Sequence, residues 1–148
     1  QARNTQVFEA DGFAGLKAQL PPPSRRGLVL MDPSYEGVND YAAVHQAVAD
    51  GLKRFAEGMF MVWYPLVHKP QSQRLGQRLK GLAPKGWLHA QLSVQKADLQ
   101  GFGLTGSGVF VFNPPHTLAD ALQTALPWLA QALAQFEGAT WRLEQHRV

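Results

Sequence analysis

Residues 27–36 read GLVLMDPSYE. The unbroken apolar run Gly27–Met31 has the character of a strand covered on both faces, as in parallel sheets flanked by helices. An acid, a proline and an aromatic then follow within four residues. Proline locks its own φ and removes a backbone donor, so the segment must turn sharply and leave carbonyls facing outward. Asp32 and Tyr35 therefore fall at the carboxyl end of a strand, where open α/β sheets hold their ligands.

Outward from this stretch, apolar runs alternate with helical patterns. Gln6–Ala10 reads as a short strand, and Phe13–Leu20 as a helix stopped by Pro21-Pro22-Pro23. Downstream, Asp40 is placed to cap a helix in which Tyr41, Val44, Val48, Leu52 and Phe55 recur at helical spacing. Gly58–Val67 is a second buried strand. Gln71–Leu82 is a basic amphipathic helix, with Arg74, Arg78 and Lys80 around Leu75, Leu79 and Leu82. Trp87–Gln95 alternates, which predicts a wetter face. The glycine-rich stretch 101–108 joins it to Val109–Phe112, a strand expected to pair antiparallel with the preceding one. A helix over 118–136 carries Leu118, Leu122, Leu126, Leu129 and Leu133 on one side, and Pro127 is predicted to kink or split it. Thr140–His146 alternates as an edge strand does. The alternation predicts an α/β fold, a mostly parallel sheet with an antiparallel late strand.

At 148 residues the chain suits one domain with one core. A composition of 45% hydrophobic and 17% charged residues excludes disorder and coiled coil. The net charge of +3 permits a polyanionic partner without requiring one. The absence of cysteine excludes a disulfide framework, a thiolate nucleophile and cysteine metal sites, and fits a reducing compartment. The longest apolar stretch, GMFMVWYPLV, is too short to cross a bilayer and no signal peptide is evident, so a soluble, cytoplasmic protein is expected. His45, His68, His89, His116 and His146 show no metal-ligand spacing, and no metal is expected.

The chemistry concentrates at Asp32–Tyr35. A carboxylate together with one outward carbonyl can accept both hydrogens of an exocyclic amine. Such an amine is a poor nucleophile because its lone pair is delocalised into the ring. Two acceptors favour the localised lone pair, and that interaction strengthens in the transition state. Tyr35 is placed to stack on the ring that carries the amine. An ordinary Asp-Pro turn closing a strand fits the same residues.

VFEADGF, RRGLVLMDPSYE, MFMVWYPLV and GSGVFVFNPP, in this order and spacing, resemble the bacterial 23S ribosomal RNA adenine-N6 methyltransferase family (ribosomal large subunit methyltransferase J). The resemblance covers essentially the whole chain and matches the carboxyl-terminal half of that family. It implies a Rossmann-like class I fold dependent on S-adenosyl-L-methionine, methylating N6 of one adenine in 23S ribosomal RNA. By the family's Asp-Pro-Pro-Tyr signature, Asp32 would accept from the adenine amine and Tyr35 would stack. The backbone of Pro33 and Ser34 would supply the second acceptor. Ser34 departs from that signature; serine keeps the carbonyl but loses rigidity.

Asp11-Gly12 corresponds to the family's segment beside the cofactor adenine, which makes Asp11, Gly12 and Asp32 the expected cofactor contacts. Asn113-Pro114-Pro115-His116 resembles another amine-methylating signature, yet its position after a late strand marks a structural turn. Arg25, Arg26, His68 and Lys69 are the expected phosphate contacts. The family's first cofactor loop has no counterpart in this sequence, so half a cofactor pocket, within a longer enzyme, is expected. Competing readings are methylation of DNA adenine or of a protein glutamine amide, and a non-catalytic α/β RNA-binding module.

Overall fold

The computed structural model describes residues 4–82, 85–100 and 103–147. Along the chain run α1 (Gly12–Gln19), β1 (Leu28–Met31), α2 (Asp40–Arg54), β2 (Met59–Leu66), α3 (Pro70–Lys80), β3 (Gly86–Ser93), β4 (Gly106–Phe112), α4 (Leu118–Ala132) and β5 (Thr140–Arg147). The strands form one sheet in the order β1-β2-β4-β3-β5. β1 and β2 pair in parallel, β4 is antiparallel to both β2 and β3, and β5 is antiparallel to β3.

The expected mostly parallel sheet is thus corrected to a mixed one. Helical crossovers carry β1, β2 and β3 in one direction, as the alternating pattern requires. β4, however, inserts between β2 and β3, which turns their ladders antiparallel. A βα pattern dictates strand direction and leaves spatial order open.

The main core lies between the sheet and helices α2 and α3. Phe60, Val62, Tyr64, Phe110 and Phe112 from the strands meet Val44, Val48, Leu75 and Leu79 from the helices. Burial of Tyr41, Val44, Val48, Leu52 and Phe55 matches the helical spacing of α2. Each fully buried side chain of this size contributes roughly 1.5–3 kcal/mol. On the opposite face α4 covers a smaller cluster of Leu88, Ala90, Ala119 and Leu126. β3 is enclosed from both sides, so its expected wet face is only partly exposed.

Four further expectations change. Gln6–Ala10 forms no strand: no described strand runs beside it, and Val7 and Phe8 are exposed. β1 is not covered on both faces, since Leu28 and Leu30 are 57% and 58% exposed while Met31 is buried. Asp40 is the first residue of α2 rather than its cap, and its carboxylate accepts from the Gly37 N–H at 3.0 Å. Of the two outcomes expected at Pro127, splitting does not occur: α4 runs on with Leu126 and Ala130 buried on either side of the proline, and it ends at Ala132 rather than near 136. The antiparallel pairing of β3 with β4 and the edge position of β5 agree with the pattern; residues 101 and 102 of the connecting stretch lie outside the described residues.

Candidate active site

The turn after β1 is built around Tyr35. β1 is in register with β2, Met31 opposite Val62, so Asp32 follows beside Trp63. Tyr35 then adopts φ +55°, a left-handed conformation rare for a bulky residue. Its ring is only 2% exposed, centred 4.7 Å from Tyr41 and 6.4 Å from Trp63. Its hydroxyl donates to the Trp63 carbonyl at 2.6 Å. Burial of the ring and this bond offset the backbone strain, which costs of order 1–3 kcal/mol. Burial, then Tyr41, then the Asp32 carboxylate push the phenol's pKa well above its ordinary value, so the hydroxyl remains a neutral donor. Tyr35 is therefore an anchor that straps the turn to β2. Its ring presents no open face in this conformation, which differs from the expected exposed stacking platform.

The anchored turn leaves Asp32 and Ser34 exposed and Pro33 half-buried. The Asp32 carboxylate has no hydrogen bond or ion pair among the described residues, so its acceptor lone pairs are open to a ligand. A cavity of ≈ 260 Å³ joins it to Asp11 and Gly12, across a floor of Phe13, Leu16, Val29 and Met31. The two acids, distant in sequence, thus flank one apolar hollow. Asp11 is the N-cap of α1, its Oδ1 accepting from the Phe13 N–H at 2.9 Å. It does not end a strand, as the sequence pattern had suggested. A Cβ at Gly12 would meet nothing within 4 Å, so the backbone there is open to close approach.

His68 and Lys69 are exposed just past the end of β2, on the same sheet edge as Asp32. Ser72, in the first turn of α3, donates to the Pro65 carbonyl at 2.6 Å and holds this connection in place. Arg25 and Arg26 are also exposed, but they precede β1 and lie at its opposite end. The structure therefore separates the four expected phosphate contacts into two groups. Asn113 follows the antiparallel β4 and so leaves the sheet on the edge away from Asp32. Its φ is +52°, and its amide donates to the Ala56 and Gly58 carbonyls at 2.8 and 2.7 Å. The Asn-Pro-Pro-His segment is a structural turn, as its position had implied. Among the described residues no His, Asp and Glu cluster could hold a metal, and no helix is long and apolar enough to cross a membrane.

One polar network is invisible in the sequence. The hydroxyl of Tyr64 on β2 bonds the His89 Nε2 at 2.7 Å and accepts from the Gln91 amide at 3.0 Å. Burial lowers the His89 pKa to about 4, with Lys80 adding to the effect and Glu144 opposing it. Burial raises that of Tyr64 to about 12. Glu144 bonds Lys80 and Arg142, both at 2.9 Å, and Lys80 lies 4.8 Å from the Trp87 ring centroid. Tyr64, His89 and Glu144 lie on three strands and Lys80 on α3, so no sequence spacing could have announced that they meet.

Comparison with known proteins completes the description. The family profile described as "Ribosomal RNA large subunit methyltransferase D, RlmJ" matches residues 1–145. The chain is 44% identical over 128 residues to the ribosomal RNA large subunit methyltransferase J of Escherichia coli, covering 86% of the chain and 45% of that protein. It is 39% identical over 142 residues to the protein of the same name from Haemophilus influenzae, covering 96% of the chain and 50% of the relative. The chain thus spans about half the length of the curated relatives it matches. A crystal structure of a Legionella pneumophila protein superposes with a TM-score of 0.86 at 29% identity, over 97% of this chain and 53% of that one.

Proposed function

The chain belongs to the ribosomal RNA large subunit methyltransferase D (RlmJ) family, and from that premise we propose that it takes part in S-adenosyl-L-methionine-dependent methylation of N6 of one adenine in 23S ribosomal RNA. The observation that carries this reading is the hollow shared by Asp11-Gly12 and Asp32-Pro33. The named relatives are rRNA methyltransferases by their own names. The sheet order, with an antiparallel strand inserted beside the second parallel one, supports a Rossmann-like class I assignment. We assign the chain to the carboxyl-terminal half of one such domain in a cytoplasmic enzyme.

The residues at the hollow fit part of S-adenosyl-L-methionine. Its apolar floor suits an adenine ring, and Asp11, with one oxygen committed to the α1 cap, has a second for an amino group. At ≈ 260 Å³ the hollow falls just below the roughly 300–1,000 Å³ of whole-ligand pockets. Asp11, Gly12 and Asp32 would hold the portion of the cofactor they face. The cofactor, when bound, supplies an electrophilic methyl group.

Asp32 would accept one hydrogen of the adenine N6 amine, and a carbonyl of Pro33 or Ser34 the other, localising the lone pair for attack. Tyr35, by strapping the turn to Trp63, fixes both acceptors. Base stacking on its ring would require the ring to turn out of its pocket. His68 and Lys69 would meet RNA phosphates on the same edge; Arg25 and Arg26 would do so at the far end of β1.

The test is radiolabelled methyl transfer to protein-free 23S rRNA lacking the modification, with this chain and with the full protein. Label in N6-methyladenine that disappears in Asp32→Asn, with unchanged melting, is expected. Wild-type turnover in Asp32→Asn refutes the assignment of Asp32. Label with neither protein turns the reading towards a DNA or protein amine.

A further inference from the structure

A second hollow lies on the same sheet edge as Asp32. It has a volume of ≈ 360 Å³, and its polar lining comes from elements far apart in sequence: His68 after β2, Gln73 on α3, Gln91 on β3 and Arg142 on β5. Asp32 sits beside Trp63, and β2 continues three residues further to Leu66, where this hollow begins. It therefore starts roughly 10 Å beyond Asp32 along the edge, at about 3.3 Å per residue, and extends across the ends of β4, β3 and β5.

Two of these groups, Gln91 and Arg142, are bonded within the protein before any ligand arrives. The Gln91 side-chain Nε2 donates to Tyr64, whose hydroxyl is bonded by His89, and the Gln91 Oε1 has no hydrogen bond among the described residues. Arg142 engages Glu144 through Nε at 2.9 Å, leaving the terminal nitrogens of its guanidinium for another acceptor. Glu144 is shared with Lys80, so two cations meet one carboxylate and the local charge is positive. A planar guanidinium suits a phosphate, whereas amides and imidazole suit the edge of a base.

We propose that this hollow is a subsite for single-stranded RNA, taking a nucleotide that flanks the target adenine, with Arg142 on its phosphate and Gln73 and Gln91 on its base. The assignment rests on the rRNA-methylating reading above. It places the strand along the sheet's carboxyl edge, from Asp32 past His68 to Arg142. Tethering the neighbouring nucleotide there would present the amine to Asp32 although the buried Tyr35 ring offers no open face for stacking.

Binding of a fluorescein-labelled single-stranded adenine-containing RNA to the full protein, followed by anisotropy across a salt series, tests this directly. Arg142→Gln is expected to weaken binding about tenfold and to lower the dependence of log affinity on log salt by roughly 0.7, one phosphate contact on a single strand. Gln73→Ala, which removes a neutral partner, is expected to weaken binding with an unchanged salt slope. In methyl transfer Arg142→Gln raises KM for RNA and leaves kcat near wild type. Arg142→Gln with wild-type affinity, slope and KM overturns the subsite while methylation by the parent protein stands. Loss of affinity with an unchanged slope also overturns it, since Arg142 then acts only by supporting Glu144. A wild-type protein that neither binds nor methylates RNA removes the functional reading together with the subsite.

Discussion

Acidification should destabilise this protein through His89. The ring is 6% exposed and rests over Gly76, close enough that a Cβ there would lie 2.5 Å from its Cε1. Burial holds its folded-state pKa at about 4, against 6.5 in an open chain; Lys80 and Arg142 push it down and Glu144 pulls it up. The folded protein therefore keeps the ring neutral while the unfolded chain takes up a proton. The stability that the neutral His89 contributes is whole above pH 6.5, is lost as pH falls through the interval, and is gone below pH 4. Between pH 7 and pH 5 the loss is about 2 kcal/mol, and the full interval amounts to about 3 kcal/mol, at about 1.36 kcal/mol per pH unit. For a chain of this size that is a fall of roughly 4–8 °C in Tm between pH 7 and pH 5. Urea unfolding at half-unit steps of pH, repeated with His89→Gln, measures it. Glutamine retains a partner for Tyr64 but does not titrate, so the His89 share of the slope should vanish in the variant. His45, whose pKa burial also lowers, contributes equally to both proteins and cancels in the difference. A wild-type curve that is flat from pH 7 to pH 5, or equally steep in His89→Gln, would refute the reasoning.

Tyr35→Phe keeps the ring but leaves the Trp63 carbonyl without its donor, at a cost of about 1–2 kcal/mol. An unchanged urea midpoint would contradict the anchoring role of the hydroxyl. Asn113→Ala loses two bonds to the Ala56 and Gly58 carbonyls and strains the backbone at φ +52°. It should cost about 2–3 kcal/mol while methyl transfer per folded molecule is unaltered; lost turnover at full stability would make that turn catalytic. Gly76→Ala drives a methyl group into the His89 ring, which Tyr64 holds in place. A loss of about 1–3 kcal/mol by denaturant titration is expected, and a neutral result would mean that the ring moves freely.

Much of the architecture follows from local pattern, because burying one face of a helix imposes a spacing that the sequence displays directly. Tyr41, Val44, Val48, Leu52 and Phe55 mark α2 in this way, and all five are buried. The Asp-Pro turn is equally legible, since proline's fixed φ acts on its immediate neighbours whatever the rest of the chain does. Asp32 at the end of a strand was therefore foreseeable. Where pairing partners decide the outcome, the sequence is silent. Gln6–Ala10 has strand composition but no described neighbour to complete a ladder, and Leu28 and Leu30 lie exposed in a run that reads as fully buried.

Tyr35 shows the same division within the site. Its place next to Asp32 is a matter of sequence; its burial is not, because Trp63 and Tyr41 reach it only through the register of β1 on β2 and the packing of α2. The sequence by itself determined most of the elements, the strand at Gln6–Ala10 excepted, and the acid at the turn, since these depend on bonds and spacings within a few residues. Only the tertiary structure decided that β4 slips between β2 and β3, that Asp11 and Asp32 share one hollow, and that Tyr64, His89 and Gln91 form one network. Each of these is a contact between residues far apart in the chain, chosen by which surfaces bury together best rather than by any local preference.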